Sequence, residues 1–216
     1  MRSYTSALLA VAFATGVNAG AHRGSCADQG ITAKADFDQG RFTGRWYEIA
    51  RDAQFSRTED SCITEDWIEN FNGTVQIGKA SYTLLDGWEQ NITDAVLLET
   101  DLDNYAQYNA YGEDEQPDRS GDAEFFIIAT DYETWAIEYT CVDIIPNYLY
   151  YDSIAIKARG NALDSSTLTT IELLINTTIP LYDTSALFYS EHCRICPYDG
   201  IPELEAESQL VIETDA

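Results

Sequence analysis

Basic residues are scarce in this chain. Twelve lysines and arginines stand against 37 aspartates and glutamates, a formal net charge of −25. A surface of that sign repels phosphate backbones and acidic lipid, so nucleic acid is not an expected partner and anionic membrane surfaces are disfavoured. The acids are scattered rather than spaced as a calcium loop, so the charge reads first as a device for solubility. One methionine and two histidines, His22 and His192, leave little with which to ligate haem or metal, and no metal site is expected. Beyond the first twenty residues no apolar run approaches the ~18 needed for a membrane-crossing helix, so no integral membrane segment is expected. No internal repeat interrupts the chain.

What is present begins with an address. Met1–Ala19 reads as a secretory signal peptide: Arg2 supplies the charged start, Ala7–Ala14 the apolar run and Val17-Asn18-Ala19 a small-residue cleavage site. Three glycosylation sequons, at Asn72, Asn91 and Asn176, agree with a secreted, extracellular product. Five cysteines fit an oxidising compartment, and the odd count leaves one thiol over.

Residues 20–35 read as an N-terminal arm, 36–196 as the folded domain and 197–216 as an acidic, disordered tail. Within the domain, segments 44–52, 61–71, 74–85, 88–99, 104–111, 123–131, 134–141 and 148–158 are rich in β-branched and aromatic residues. Asn-Gly, Asp-Gly and acidic Gly/Pro segments separate them. The expected fold class is all-β: an eight-stranded antiparallel up-and-down barrel with room for one small ligand. One helix is expected over 165–175, capped by Asp164 or Ser165. Its stripe of Leu168, Ile171, Leu174 and Ile175 would pack on the outside of the barrel. Residues 113–124 read as an exposed acidic loop.

Gly44-x-Trp46-Tyr47 opens the first long strand, Thr130-Asp131-Tyr132 follows the sixth, and Arg159 closes the eighth just before the helix. Together these resemble the lipocalin family. "GRWYEI", "ATDYETWAIEYTC" and "IKARGNALDSSTLTTI" look most like its apolipoprotein D and bilin-binding branch, over roughly residues 36–196. In such a barrel Trp46 plugs the narrow end, Arg159 can lie across its ring, and the 130–132 turn closes the same end. The resemblance implies disulfides Cys26–Cys141 and Cys62 to a C-terminal cysteine. Both Cys193 and Cys196 are on offer; Cys62–Cys193 is favoured, leaving Cys196 over. Cys193 and Cys196 also spell C-x-x-C, a redox or metal spacing elsewhere, read here as structural.

Side chains alternate inward and outward along barrel strands, so parity can be carried up from the floor. From Trp46 the inward positions are Glu48, Ala50 and Asp52; from Arg159 they are Lys157, Ala155, Ser153 and Tyr151. The family register implies Thr134, Ala136 and Glu138, then Phe125, Ile127 and Ala129, then Ile63, Glu65 and Trp67. A single bulge would invert any of these. The expected ligand-binding residues are Glu48, Ala50, Trp67, Phe125, Ile127, Ala136, Glu138, Tyr151, Ser153, Ala155 and Lys157, with Glu48 and Lys157 as a polar anchor pair. Trp88, Trp135, Tyr105, Tyr108 and Tyr111 read as wall or mouth residues.

Small residues above the floor and flat apolar walls suit a small hydrophobic molecule with a few polar groups: a lipid, sterol, retinoid, carotenoid or tetrapyrrole, held without a covalent cofactor bond. The leading expectation is a secreted carrier, and the branch resemblance adds lipid handling and protection against oxidants. The alternative is an enzyme on the same barrel acting on a lipid or carotenoid through a buried carboxylate (Glu48, Glu65 or Glu138), since no histidine is expected inside to activate a nucleophile. A third class, an interaction protein docking through the 113–124 loop or the tail, is neither favoured nor excluded. The oligomeric state is left open.

Overall fold

Alternating strands joined by short polar turns form one antiparallel sheet. The computed structural model describes residues 21–52, 61–71, 73–97, 106–112, 123–180, 182–192 and 196–202. The signal-peptide segment, Asn72, Tyr105, Cys193, residues 113–122 of the acidic loop and the tail beyond 202 lie outside the described residues.

The strands are β1 (Ala21–Arg23), β2 (Gly44–Asp52), β3 (Ser61–Glu69), β4 (Val75–Thr83), β5 (Gly87–Leu97), β6 (Gln107–Gly112), β7 (Ala123–Thr130), β8 (Trp135–Ile145), β9 (Leu149–Ala158) and β10 (Leu187–Tyr189). β2 to β9 pair in sequence order, and β9 pairs back with β2, so the sheet curls up-and-down into a barrel. The seam is short. β2 and β9 pair from Tyr47↔Ala158 to Arg51↔Ala155. Beyond it, β1 lies along β9 at Leu149–Tyr151; on the other edge of β2, where pairing with β3 ends at Tyr47, β10 lies along Ala50–Asp52.

The floor is built from the signature residues. Trp46 is fully buried and its indole N–H donates to the carbonyl of Phe42, in the short helix α1 (Gln39–Phe42), at 2.9 Å. The Arg159 guanidinium stacks 3.7 Å over the Trp46 ring and donates to the carbonyls of Arg45 and Tyr132 at 3.0 Å each. Gly44 has φ +95°, a conformation open to glycine, and a Cβ there would lie 3.5 Å from Arg159 Nη1. The Asp131 carboxylate accepts from the backbone N–H groups of Glu133, Thr134 and Trp135, and Thr130 donates its hydroxyl to the Trp135 carbonyl. The Tyr132 hydroxyl accepts from Asp38 N–H, which ties the turn to the cap of α1.

Two apolar layers share the wall. Inside, Phe42, Trp46, Trp67, Tyr108, Phe125, Ile127 and Ala136 pack as one cluster over the floor. Outside, helix α2 (Ser165–Thr178) lays Ile171 and Ile175, both fully buried, on Ile49, Ile137 and Ile156. Asp164 caps α2 by accepting from the N–H groups of Ser166 and Thr167 at 2.9 Å. The helix runs three residues past the expected end because nothing before Pro180 breaks it.

Two bulges change the parity expected from sequence. Between Glu48 and Ala50 the β2–β9 register shifts, and between Ile127 and Ala129 the β7–β8 register shifts. The extra residue in each case, Ile49 or Ile128, packs on the outer layer. The next residue then also faces outward, so Ala50 and Ala129 join the layer under α2 instead of lining the interior.

Cys26 is bonded to Cys141, holding the arm against β8. The expected Cys62–Cys193 pairing is corrected: Cys62 is bonded to Cys196. The path of the chain explains it. Cys62 N–H donates to the Glu191 carbonyl, and His192 bonds Tyr198 Oη at 2.6 Å and the Glu48 carbonyl at 2.7 Å. Those contacts fold the segment back so that Cys196 meets Cys62. Residues 197–202, expected to be part of a free tail, pack on the barrel: Tyr198 lies edge-on to Tyr47 at 5.3 Å, and Ile201 is buried.

Candidate functional site

Above the aromatic floor, seven charged side chains from five strands border the interior: Glu48, Arg51 and Asp52 from β2, Glu65 from β3, Lys79 from β4, Glu138 from β8 and Lys157 from β9. Asp52, at the strand's end, accepts from the Tyr182 hydroxyl at 3.2 Å and stands apart from the others. Strand parity puts them there. In β4, Val75 and Ile77 belong to the inner cluster, and Lys79 continues the same face. In β9, Tyr151, Ser153, Ala155 and Lys157 share one face, and their neighbours Ile154 and Ile156 lie in the outer layer.

The charges form a continuous ladder. Glu48 accepts from Arg51 at 2.6 Å through Oε1 and from Lys79 at 2.7 Å through Oε2. Lys79 also lies 4.0 Å from Glu65, whose carboxylate accepts from Lys157 and from the Trp67 indole N–H. Lys157 is 1 % exposed and pairs at 2.7 Å with Glu138 as well. Glu48 and Lys157, the expected polar anchors, are direct register partners across the β2–β9 seam and both border the cavity. Each has nearer partners of opposite charge, Lys79 and Arg51 for Glu48, Glu65 and Glu138 for Lys157.

Isolated ions at this depth would be costly; pairing makes them tolerable. Burial pushes the Glu48 carboxyl up, but Lys79, Arg51 and Lys157 outweigh it and hold it at about 2. Glu65 is likewise lowered, because Lys157 and Lys79 overcome its burial. Glu138 goes the other way. Its burial prevails over Lys157, with Glu65 adding repulsion, so it holds a proton more readily than an ordinary glutamate. Burial pulls Lys157 down, but Glu138, Glu65 and Glu48 together raise it, so it stays charged.

The ladder borders a cavity of about 270 Å³. Of the residues expected to bind ligand, Glu48, Glu138, Tyr151, Ser153, Ala155 and Lys157 line it. Trp67, Phe125, Ile127 and Ala136 do not; they are packed below it in the floor, where Tyr108 stacks on Phe125 at 5.0 Å and crosses Trp67 at 5.5 Å. Large aromatics at inward positions filled the volume rather than walling it. Ala50 is outside the barrel, carried there by the Ile49 bulge. Sequence parity missed Arg51, which the same bulge turns inward, and Lys79, whose strand was given no register; the alternation Val75, Ile77, Lys79 could have found the latter. Neither histidine lines the cavity: His22 pairs with Asp152 at 3.1 Å, and His192 binds the back of β2. Among the described residues no group of histidines, cysteines and acids is placed to hold a metal ion.

A larger hollow of about 450 Å³ lies outside the wall, beneath the arm, bordered by Ile31, Phe126, Tyr139 and the Cys26–Cys141 bridge. Its one carboxylate, Asp143, already accepts from Cys26 N–H, and no set of charges converges there. The interior cavity is therefore the candidate site. Asn91, on β5, and Asn176, on α2, are both exposed.

Comparison with known proteins fits this architecture. No family model matches the chain. It is 31% identical over 119 residues to retinol-binding protein 4 of Rattus norvegicus, a match covering 54% of this chain and 58% of that protein. The match thus spans less than two thirds of the retinol-binding protein. Apolipoprotein D of Cavia porcellus is 26% identical over 149 residues, covering 68% of this chain and 73% of that protein. Among solved structures, insecticyanin from the tobacco hornworm Manduca sexta superposes with a TM-score of 0.66 at 19% identity, over 82% of this chain and 91% of that one. Lobster apocrustacyanin A1 follows with a TM-score of 0.59 at 19% identity, over 78% and 94%. The structural likenesses establish a shared fold.

Proposed function

We propose that this chain, which has the lipocalin fold and lipocalin relatives, is a secreted carrier that holds a small hydrophobic molecule inside its barrel. The observation that carries the reading is the interior cavity: concave, bordered by a few convergent polar groups, and set above a closed aromatic floor. A similarity to retinol-binding protein 4 makes a retinoid-sized molecule the natural first probe. In this reading Glu48, Glu138, Tyr151, Ser153, Ala155 and Lys157, joined by Arg51 and Lys79, contact the polar end of the ligand, which binds non-covalently. Secretion is supported by the signal-peptide pattern of Met1–Ala19 and by the two disulfides. Asn91 and Asn176, both exposed, are the proposed glycan acceptors among the described residues.

The test is native mass spectrometry with an absorption spectrum on protein purified from its own source, followed by retinol titration monitored by tryptophan quenching. A discrete extra mass released on denaturation, or saturable quenching at one site per chain, is the expected result. A bare glycoprotein mass together with no saturable binding of any hydrophobic probe would remove the carrier reading.

A further inference from the structure

The cavity lining holds four carboxylates, Glu48, Asp52, Glu65 and Glu138, against three cations, Arg51, Lys79 and Lys157. Every one of those cations is already engaged. Arg51 and Lys79 bond Glu48 at 2.6 and 2.7 Å, and Lys157 bonds Glu65 and Glu138. A ligand carboxylate would enter as a fifth anion. To gain a partner it would have to take a cation from a buried glutamate and leave that glutamate unpaired, which is the costly way to break a buried ion pair. The −25 charge of the whole chain disfavours anionic ligands at longer range as well. A ligand amine meets the opposite difficulty, since Lys79 and Lys157 flank the same space and meet it with like charge at short range. A hydroxyl meets neither obstacle. It carries no charge to compensate, donates to a carboxylate oxygen and accepts from a lysine, with the hydroxyls of Thr140 and Ser153 beside it.

Resting on the carrier reading, we infer that the interior site takes an uncharged ligand whose polar end is a hydroxyl, and that the lining carboxylates Glu48, Glu65 and Asp52 act as the specificity determinants that reject a carboxylate there. One like-charge contact at about 5 Å in a partly buried site is worth on the order of a hundredfold in affinity. The preference should therefore be large enough to read directly.

The experiment compares dodecanol, dodecanoate and dodecylamine by isothermal titration calorimetry at neutral pH, alongside retinol and retinoic acid by tryptophan quenching, on the full secreted chain. The alcohols are expected to bind at least about tenfold more tightly than the acid and the amine. In D52N the lining loses one carboxylate, and the acid-to-alcohol affinity ratio is expected to rise about tenfold while the thermal transition stays cooperative. If D52N does not fold, E65Q removes one charge from the same lining, with Lys157 still paired to Glu138, and should move the ratio the same way. Equal or tighter binding of the acid or the amine by the wild type overturns the inference and leaves the carrier reading standing. An unchanged ratio in a folded variant overturns the role given to the carboxylates. Failure of every member of both series to bind removes the carrier reading itself, and the inference with it.

Discussion

At the residue scale, Glu48 shows how a barrel interior tolerates charge. Its two oxygens face Arg51 and Lys79, and it is 2 % exposed. Its carboxyl titrates at about 2 in the fold against an ordinary value of 4.5. The unfolded chain therefore takes up a proton first as pH falls. The stabilisation from this group is fully present above pH 4.5 and is lost as pH drops through about 2. A difference of that size corresponds to roughly 3 kcal/mol. Glu48→Gln is expected to lower the stability of the fold by about 2–4 kcal/mol at pH 7, and the gap should close towards pH 2. Denaturant midpoints of both proteins between pH 2 and 7 check this; a gap that stays constant with pH would show that the residue acts through shape alone. Much of this was legible beforehand. Counting by twos from Trp46 and Arg159 turned Glu48 and Lys157 inward, the family register did the same for Glu138, and all three border the cavity. Which carboxylate meets which cation was not legible, because that choice depends on strand neighbours several dozen residues apart.

At the element scale, the same counting worked until a bulge intervened. β9 has no shift at the cavity, so Tyr151, Ser153 and Ala155 line it as read. β2 carries an extra Ile49, a residue that sits as well on the outer layer as in a regular ladder, and nothing in the local pattern announces it. The strands β1 and β10 also escaped notice, being only three residues each, too short to show a periodic pattern. The bulge makes a sharp pair of outcomes. Ala155→Leu fills part of a cavity of about 270 Å³ and should weaken retinol binding by about tenfold or more. Ala50→Leu instead overpacks the layer beneath α2 and should cost about 1–3 kcal/mol of stability with retinol affinity unchanged. Quenching titrations and urea unfolding of both variants check the assignment; a loss of affinity in A50L would put Ala50 back inside the barrel.

At the scale of the whole molecule, barrel closure and charge work against each other. The fold class was legible because eight similar segments at even spacing, one capped helix and three signature clusters all point to one closed sheet. The second disulfide was not, because its partner is chosen by how the segment after β10 folds back through His192 and Tyr198. The net charge of −25 spreads mutual repulsion over the surface of the closed barrel. Exposed pairs such as Arg41–Glu133 at 3.3 Å offset little of it, since twelve basic residues cannot neutralise 37 acids. Unfolding moves the acids apart, so repulsion favours the unfolded chain at low ionic strength. Salt shortens the range of that repulsion from about 30 Å at 0.01 M to about 3 Å at 1 M. The ladder is paired and all but Lys79 and Glu138 in it are buried, so it should feel less of the change. Raising sodium chloride across that range is therefore expected to raise the melting temperature by several degrees while retinol affinity shifts less than about twofold. A melting temperature that falls with salt would mean that surface ion pairs hold the barrel together. A large salt effect on retinol binding would mean that the ladder opens to solvent when ligand enters.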